Sequence, residues 1–140
     1  TVVPMSLIGD DAEKRVSEEL SMMGFDVVYR SRASRGAFDL LALRGSHQLG
    51  LPIKRSQLPL RFTLAEWSRL EAESQKSGWQ WIVTAVLPPP ENTVLFLDPT
   101  RVRKKKEARL TRDAMLDNLL LWLERPHHRK RSLHSRLRTL

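Results

Sequence analysis

The sequence contains no cysteine. It also lacks an apolar run of about 18 residues, the length needed to span a membrane. Without cysteine, disulfide bonds and thiolate metal sites are excluded. A Gly-rich phosphate loop and a Ser/His/Asp arrangement are also missing, which argues against P-loop nucleotide hydrolysis and serine-type hydrolysis. No secretory signal is evident, so we expect a cytoplasmic protein that does not bind membranes.

Positive charge is concentrated at one end of the chain. Residues 1–99 carry 11 Lys or Arg against 12 Asp or Glu, whereas residues 100–140 carry 13 against 4. This change predicts a nearly neutral α/β domain over residues 1–99 and a basic extension over residues 100–140. Two basic clusters in the extension, one at 101–106 and one at 127–131, suit the phosphate backbone of a nucleic acid.

An amphipathic helix is predicted near the start of the chain. Apolar residues recur at three- and four-residue spacing from Ala12 to Met23, and Gly24 ends the pattern. Glu13 falls at the edge of the apolar stripe, within about 20° of Leu20. The helix dipole favours any carboxylate in a first turn, so Glu13 by itself does not indicate a site.

A second acid and a lysine lie on a predicted β-hairpin. Asp39 opens the apolar run Leu40–Leu43, and a second run, Leu49–Lys54, follows a polar turn. Asp39 and Lys54 would therefore lie on neighbouring strands. Burying a carboxylate at the mouth of a strand is costly unless it meets a cation or a metal, so we expect the two residues to share a site.

The order of these segments resembles the archaeal-type Holliday junction resolvases of the PD-(D/E)xK nuclease superfamily, over about residues 6–98. Gly9–Glu13 matches the family's Gly-x-x-x-Glu helix and Gly24–Arg30 its apolar strand. Phe38–Ala42 matches the acidic strand and Pro52–Lys54 the Glu-x-Lys strand. The resemblance implies an α/β, restriction-endonuclease-like fold with a mixed central sheet flanked by helices, carrying here a basic helical C-terminal extension.

The resemblance also implies catalytic roles. Glu13 and Asp39 would hold Mg²⁺, and Lys54 would orient the attacking water or stabilise negative charge. Pro52 departs from the pattern, because it stands where the family has a glutamate and offers neither a side-chain ligand nor a backbone donor. A proline also predicts that its strand lies at a sheet edge or bulges there.

Three interpretations of Pro52 stay open. A carboxylate of the following helix replaces the lost ligand, or Glu13 and Asp39 bind Mg²⁺ weakly and cleavage is slow, or the fold is retained without the nuclease. The candidate replacements are Glu66, Glu71 and Glu73. We favour the third interpretation, a nucleic-acid-binding protein with impaired or lost nuclease activity. The alternative is a Mg²⁺-dependent endonuclease that cleaves branched DNA.

Residues predicted to contact phosphates come from the loop before Asp39, from beside Lys54 and from the basic extension. They are Arg30, Arg32, Ser34, Arg35, Arg55, Arg103, Lys104, Lys105, Lys106, Arg129, Lys130 and Arg131. DNA is the expected ligand.

The remaining pattern completes the predicted α/β domain. A helix is expected over Thr63–Ser77, capped by Thr63 and Glu66, with strands over Trp79–Leu87 and Thr93–Leu97. The residues of this helix that are predicted to be buried are Leu64, Trp67, Leu70 and Ala72. Trp67, Trp79 and Trp81 are predicted to pack in the core and not to stack on bases. His47 is predicted in the hairpin turn near the site, with no second ligand at metal-binding spacing.

A last helix is predicted over Thr111–Glu124, between the two basic clusters. Its apolar positions cover more than one face, so it should pack against the domain or against a second subunit. We favour a homodimer, since the resembled resolvases act as dimers on a two-fold symmetric junction.

Overall fold

The computed structural model describes residues 11–29 and 36–125. Its helices are α1 Asp11–Met22, α2 Leu64–Ser77 and α3 Leu119–Leu123. Its strands are β1 Asp26–Tyr29, β2 Leu40–Arg44, β3 His47–Leu51, β4 Ile53–Arg55, β5 Leu60–Phe62, β6 Gln80–Trp81, β7 Val83–Val86, β8 Val94–Leu97, β9 Arg103–Lys104 and β10 Ala108–Leu110. Short 3-10 turns occupy Pro99–Arg101 and Arg112–Ala114.

A mixed sheet forms the centre of the fold. It consists of two hydrogen-bonded sets of strands, one in the order β1, β2, β3, β6 and the other in the order β4, β7, β8. β3 continues into β4 through Pro52, and β6 continues into β7 through Ile82, with the same register offset on both sides. Hydrogen bonds from Ile82 N–H to Gly50 O (3.1 Å) and from Thr84 N–H to Pro52 O (3.0 Å) join the two halves. Only this central pairing is parallel; the other pairs of the mixed sheet are antiparallel.

Apolar residues cover both faces of this sheet. On one face α1 and α3 pack through Val16, Leu20, Leu119 and Trp122 against residues of β2, β3 and β8. On the other face α2 and a smaller sheet cover residues of β7 and β8. The result is the predicted α/β arrangement of a mixed sheet between helical layers.

The first helix and the hairpin form as predicted. α1 buries Ala12, Val16 and Leu20, and Gly24 has the left-handed φ of +89° that allows the chain to leave the helix. β2 and β3 pair in antiparallel register, with Leu40 opposite Leu51.

α2 also forms as predicted, because its cap is specified locally. Thr63 Oγ1 accepts the Glu66 N–H (3.0 Å) and a Glu66 carboxylate oxygen accepts the Thr63 N–H (2.8 Å). Trp67 and Leu70 are buried, as predicted. The prediction was wrong for Leu64 and Ala72, which are exposed because only a narrow stripe of α2 meets the core.

A second sheet of three strands, in the order β5, β10, β9, was not predicted. β10 pairs with β5 from nearly fifty residues earlier in the chain. Leu60, Phe62, Ala108 and Leu110 are buried beneath it. The domain boundary at residue 99 stays a prediction, but residues 103–110 contribute to the same core as α2.

The helix predicted over Thr111–Glu124 was wrong in extent. It begins only at Leu119, because Asn118 is its cap and accepts the Leu121 N–H (3.1 Å). Before it, Leu97 and Met115 form an isolated antiparallel bridge. Leu119, Trp122 and Leu123 are buried within the chain, so this short helix packs against its own domain. Within the described ranges, no helix is long and apolar enough to cross a membrane.

Gly50 is required by a close approach to Phe38. A Cβ at Gly50 would lie 2.4 Å from Phe38 Cδ2, and the Phe38 ring is buried with its centroid 6.3 Å from that of Trp81. We expect Gly50→Ala to lower the free energy of unfolding by about 1 to 3 kcal/mol in urea denaturation. Combining it with Phe38→Leu should cost less than the sum of the two single changes. A Gly50→Ala variant as stable as the parent would contradict this packing.

Candidate functional site

Asp39 directly precedes β2, so its side chain lies at the start of that strand. Its backbone N–H donates to Leu51 O (2.9 Å), and its Oδ2 accepts the Ile53 N–H (2.7 Å). Ile53 lies just beyond the last β2–β3 pair, and the carboxylate supplies the acceptor that its backbone N–H needs. The bond holds Asp39 against the peptide that joins Pro52 to Ile53, so the sequence order of these motifs corresponds to a contact in space.

Pro52 is buried at the point where β3 becomes β4. Its carbonyl accepts the Thr84 N–H, but its ring nitrogen donates nothing and its side chain offers no ligand. β3 lies inside the mixed sheet, whereas β4 is an edge strand, because β2 begins opposite Leu51 and does not extend alongside β4. The edge strand predicted from the proline is therefore found after Pro52, in β4, and not before it, in β3.

Lys54 makes contacts that the sequence did not reveal. Its Nζ donates to Arg61 O (2.7 Å) and lies 4.3 Å from the centroid of the Phe62 ring. Both partners belong to β5, which was not recognised as a strand. No local signal marks this contact, because β5 is only three residues long and is held in place by its pairing with β10.

Glu13 lies in the first turn of α1 and is partly buried, as predicted for the edge of an apolar stripe. α1 packs against β2 and β4, the strands that follow Asp39 and carry Lys54. These contacts place the helix and the two strands in one region. The catalytic and metal-binding roles of Glu13, Asp39 and Lys54 stay predictions.

The donor set does not reproduce the magnesium site that the resemblance implies. Pro52 contributes no side-chain oxygen ligand, and among residues 11–29 and 36–125 no three His, Asp or Glu side chains form a group able to hold a metal ion. Two of the three candidate replacements have other partners. Glu66 caps α2, and Glu71 pairs with Lys104 Nζ (3.3 Å). Glu73 lies in the same helix.

The Glu66 carboxylate is stabilised in its charged form. The hydrogen bond from the Thr63 backbone lowers the pKa of Glu66; burial opposes this shift, and the Thr63 hydroxyl and the charge of Lys54 add to it. A lowered folded-state pKa contributes stability above the unfolded-state pKa, and this contribution is lost as the pH falls through the folded-state value.

We therefore expect Glu66→Gln to be less stable than the parent at pH 7, by less than about 1 kcal/mol because the group is exposed. The difference should close as the pH falls below about 4. Denaturation curves from pH 7 to pH 3 measure it, with Glu73→Gln on the same helix as the matched control. A difference that persists unchanged at pH 3 would be inconsistent with this role of the Glu66 charge.

His47 lies away from the Asp39 end of the hairpin, so its predicted position near the site was wrong. It pairs with Arg44 at the turn, whereas Asp39 precedes the Leu40–Leu51 pair at the open end. Four residues of antiparallel strand separate the two ends by about 14 Å. His47 Nε2 contacts Glu124 Oε1 (2.7 Å), which connects the turn to the end of α3.

The predicted phosphate-contacting residues fall into different environments. Arg55 Nη1 donates to Asn92 Oδ1 (2.8 Å) and Leu87 O (3.2 Å), so it holds the loop before β8. Arg103 and Lys104 are exposed and form long ion pairs with Asp113 (3.5 Å) and Glu71. Lys105 and Lys106 are exposed in the β9–β10 turn. The other predicted contacts lie outside the described residues: Arg30, Arg32, Ser34, Arg35, Arg129, Lys130 and Arg131.

Trp67 is buried as predicted, and its ring centroid lies 5.0 Å from that of the partly buried Trp81. Both belong to the second core, which also contains Phe62. Trp79 is only partly buried.

Comparison with known proteins supports the fold. No protein-family model matches the sequence, and no curated protein sequence matches it. Among solved structures, the chain is similar to Hjc, a Holliday junction resolvase from the archaeal hyperthermophile Archaeoglobus fulgidus, with a TM-score of 0.63 and 21% sequence identity. The match covers 75% of this chain and 87% of that chain. The chain therefore has the α/β fold of a Holliday junction resolvase.

Proposed function

We propose that this protein binds nucleic acid, with DNA as the expected ligand, through a resolvase-like nuclease fold in which cleavage is impaired or lost. The observation that carries the proposal is Pro52, buried beside the Asp39 carboxylate where the resembled family has a metal ligand. Hydrolysis of a phosphodiester needs a hard cation to polarise the phosphate and activate water. Loss of a central ligand weakens that cation's binding more than it weakens contacts to the phosphate backbone.

Charge supports retention of nucleic-acid binding. Residues 101–113 contain seven Lys or Arg against two acidic residues, and a further basic cluster follows at 127–131. Such concentration of one sign favours sequence-independent binding to phosphates, with strong salt dependence. The resemblance in fold to a protein that acts on DNA junctions makes DNA the first ligand to test.

A magnesium-dependent endonuclease for branched DNA is the second candidate. The hydrogen bond from Ile53 N–H to Asp39 favours it, because it keeps Asp39 next to the strand that carries Lys54. Mg²⁺ is often held by one or two carboxylates together with substrate phosphates, so Glu13 and Asp39 remain candidates for such a site. Magnesium is a cofactor only under this alternative.

A homodimer is a further proposal. The apolar helix predicted near the end of the chain no longer supports it. The apolar helix expected at the subunit interface is short, and three of its five residues are buried in the same chain. Only Leu121 of this helix is a largely exposed apolar side chain. The molar mass in solution, measured by light scattering with and without a four-way junction, distinguishes a permanent dimer from one formed on DNA.

Binding to a four-way junction and to a matched linear duplex tests the proposal directly. We expect the full chain to bind both, with an affinity that falls linearly on a log-log plot as salt rises from 50 to about 300 mM. If the chain binds neither the junction nor the duplex at the lowest salt concentration, the proposal is wrong.

The basic tail is expected to supply part of this affinity. Deleting residues 127–140 should weaken binding and reduce the salt slope, because the deletion removes five Lys or Arg and no acid. An unchanged slope in the same titration would mean that phosphate contacts lie elsewhere on the chain.

A further inference from the structure

Three arginines stand in one row across the small sheet. In the antiparallel register of β5, β10 and β9, Arg109 is the direct partner of Arg61 on one side and of Arg103 on the other. Neighbouring strands lie about 4.8 Å apart, so the row spans roughly 10 Å from its first Cα to its last. All three residues are exposed.

The opposite face of the same strands fixes the direction of this row. Phe62 pairs with Ala108, and Leu60 pairs with Leu110, and all four of these side chains are buried in the core. Because successive side chains of a strand point to opposite faces, Arg61 and Arg109 are held on the solvent side. Shifting the register by one residue would bury the arginines, so the core enforces their exposure.

The row is electrostatically unfavourable for the isolated protein. Like charges directly opposite each other on antiparallel strands destabilise a sheet. Among the described residues, acidic neighbours compensate at the two ends of the row, where Glu107 lies 3.5 Å from Arg61 and Asp113 lies 3.5 Å from Arg103. These pairs are long and exposed, and within the described residues Arg109 forms no ion pair.

The row begins beside the candidate site. Lys54 Nζ donates to the carbonyl oxygen of Arg61, so a cation of the mixed sheet touches the first strand of the row. Lys54 therefore lies at the β5 edge of the small sheet, in contact with the backbone of Arg61 and with the buried Phe62 ring. Lys104 is not part of this row. It lies opposite Ala108 in the β9–β10 register, so its side chain leaves the sheet on the face opposite to the arginines, where it contacts Glu71.

We propose that Arg61, Arg109 and Arg103 form a phosphate-binding row for one strand of DNA, starting at β5, the strand whose backbone Lys54 contacts. Successive phosphates of one strand lie farther apart than their axial rise of about 3.4 Å, so a row of roughly 10 Å reaches about two to three of them through the long arginine side chains. Guanidinium groups suit this ligand because they donate two parallel hydrogen bonds to phosphate oxygens. The inference rests on the proposed DNA-binding function and assigns it to a defined surface.

The test uses the full chain with Arg61, Arg103 and Arg109 all changed to Gln, and a labelled DNA duplex titrated from 50 to 300 mM NaCl. We expect the slope of the log-log salt plot to fall by about 2 to 3 and the affinity at 100 mM NaCl to fall on the order of 100-fold. Changing all three to Lys should restore most of the slope but not all of the affinity. The melting temperature of the Gln variant should be no lower than that of the parent, because repulsion across the sheet is removed.

The matched control removes three exposed positive charges from outside the small sheet: Lys14, Lys76 and Arg125, each changed to Gln. It should reduce the slope by less than about 1, the change expected for a single phosphate contact. Equal slopes for the row variant and this control would overturn the inference while leaving DNA binding by the parent intact. Absence of binding by the parent at 50 mM NaCl would overturn the proposed function as well. If the variant with all three arginines changed to Gln binds DNA like the parent but no longer binds phosphatidylserine vesicles, the row would belong to a membrane surface. That result would also overturn the inference.

Discussion

Replacing Pro52 by glutamate is expected to give the chain a metal-dependent stability that the parent lacks. The new carboxylate would lie beside Asp39, whose Oδ2 contacts the N–H of the next residue, Ile53. Because position 52 is buried, the variant without metal should be less stable than the parent by about 1 to 3 kcal/mol. A bound cation would compensate for the burial of that charge.

The size of the metal effect follows from mass action. Mn²⁺ or Mg²⁺ at about 100 times its dissociation constant should stabilise Pro52→Glu by about 2.7 kcal/mol, a rise of roughly 5 to 10 °C in melting temperature. The parent should show a shift of no more than about 2 °C under the same conditions. Thermal unfolding with and without metal measures both.

Two controls isolate the ligand effect of Pro52→Glu. Pro52→Gln restores the backbone N–H without adding a charged ligand, and Asp39→Asn in the Pro52→Glu background removes its neighbour. Neither should gain stability from metal. A folded Pro52→Glu variant that is indifferent to both metals would show that a carboxylate at position 52 is not enough to form a metal site.

Asp98→Ala is expected to lower the free energy of unfolding by about 3 kcal/mol. Asp98 is buried at the end of β8, where Oδ1 accepts from Thr100 N–H (2.9 Å) and Oγ1 (2.7 Å). Its Oδ2 accepts from the buried Trp122 Nε1 (3.2 Å). Removing the carboxylate leaves these donors without their acceptor and weakens the attachment of α3 to the sheet.

The matched change on the other side is Trp122→Phe, which removes the N–H and keeps most of the apolar ring. It should cost about 1 to 2 kcal/mol, and the double variant should cost less than the sum because the two residues share one hydrogen bond. Urea denaturation of the four proteins completes the cycle. An Asp98→Ala cost below about 0.5 kcal/mol would mean that α3 is not anchored through this carboxylate.

Elements specified by nearby residues were predicted with good accuracy. The apolar spacing of α1, the Thr63 and Glu66 cap of α2 and the alternation of β2 and β3 all operate within a few residues, so a single sequence contains the signal. The prediction made α3 too long because it relied on such a local signal alone. Its apolar run is real, but Asn118 caps the helix after residues that bond to β8 instead.

Pairing between distant segments could not be predicted from local pattern. β5 and β10 are three residues long and each carries an arginine between two buried positions, so neither segment has a strong strand signal before they meet. The contact of Lys54 with β5 and the alignment of Arg61 with Arg109 follow from this pairing. Part of the positive charge assigned to the basic extension, that of Arg103, Lys104 and Arg109, therefore belongs to the small sheet.

The departure at Pro52, in contrast, was visible in the sequence, and the structure adds its surroundings. Pro52 lies at the open end of the β2–β3 hairpin, and the N–H of the next residue, Ile53, donates to Asp39.

Cleavage of a four-way junction and of a matched linear duplex by the full chain, in Mg²⁺ or Mn²⁺, tests the central claim most directly. We predict binding to DNA without cleavage above the level of an Asp39→Ala control, because position 52 supplies no ligand. Cleavage of the junction that Asp39→Ala abolishes would contradict this account and establish the chain as a metal-dependent endonuclease.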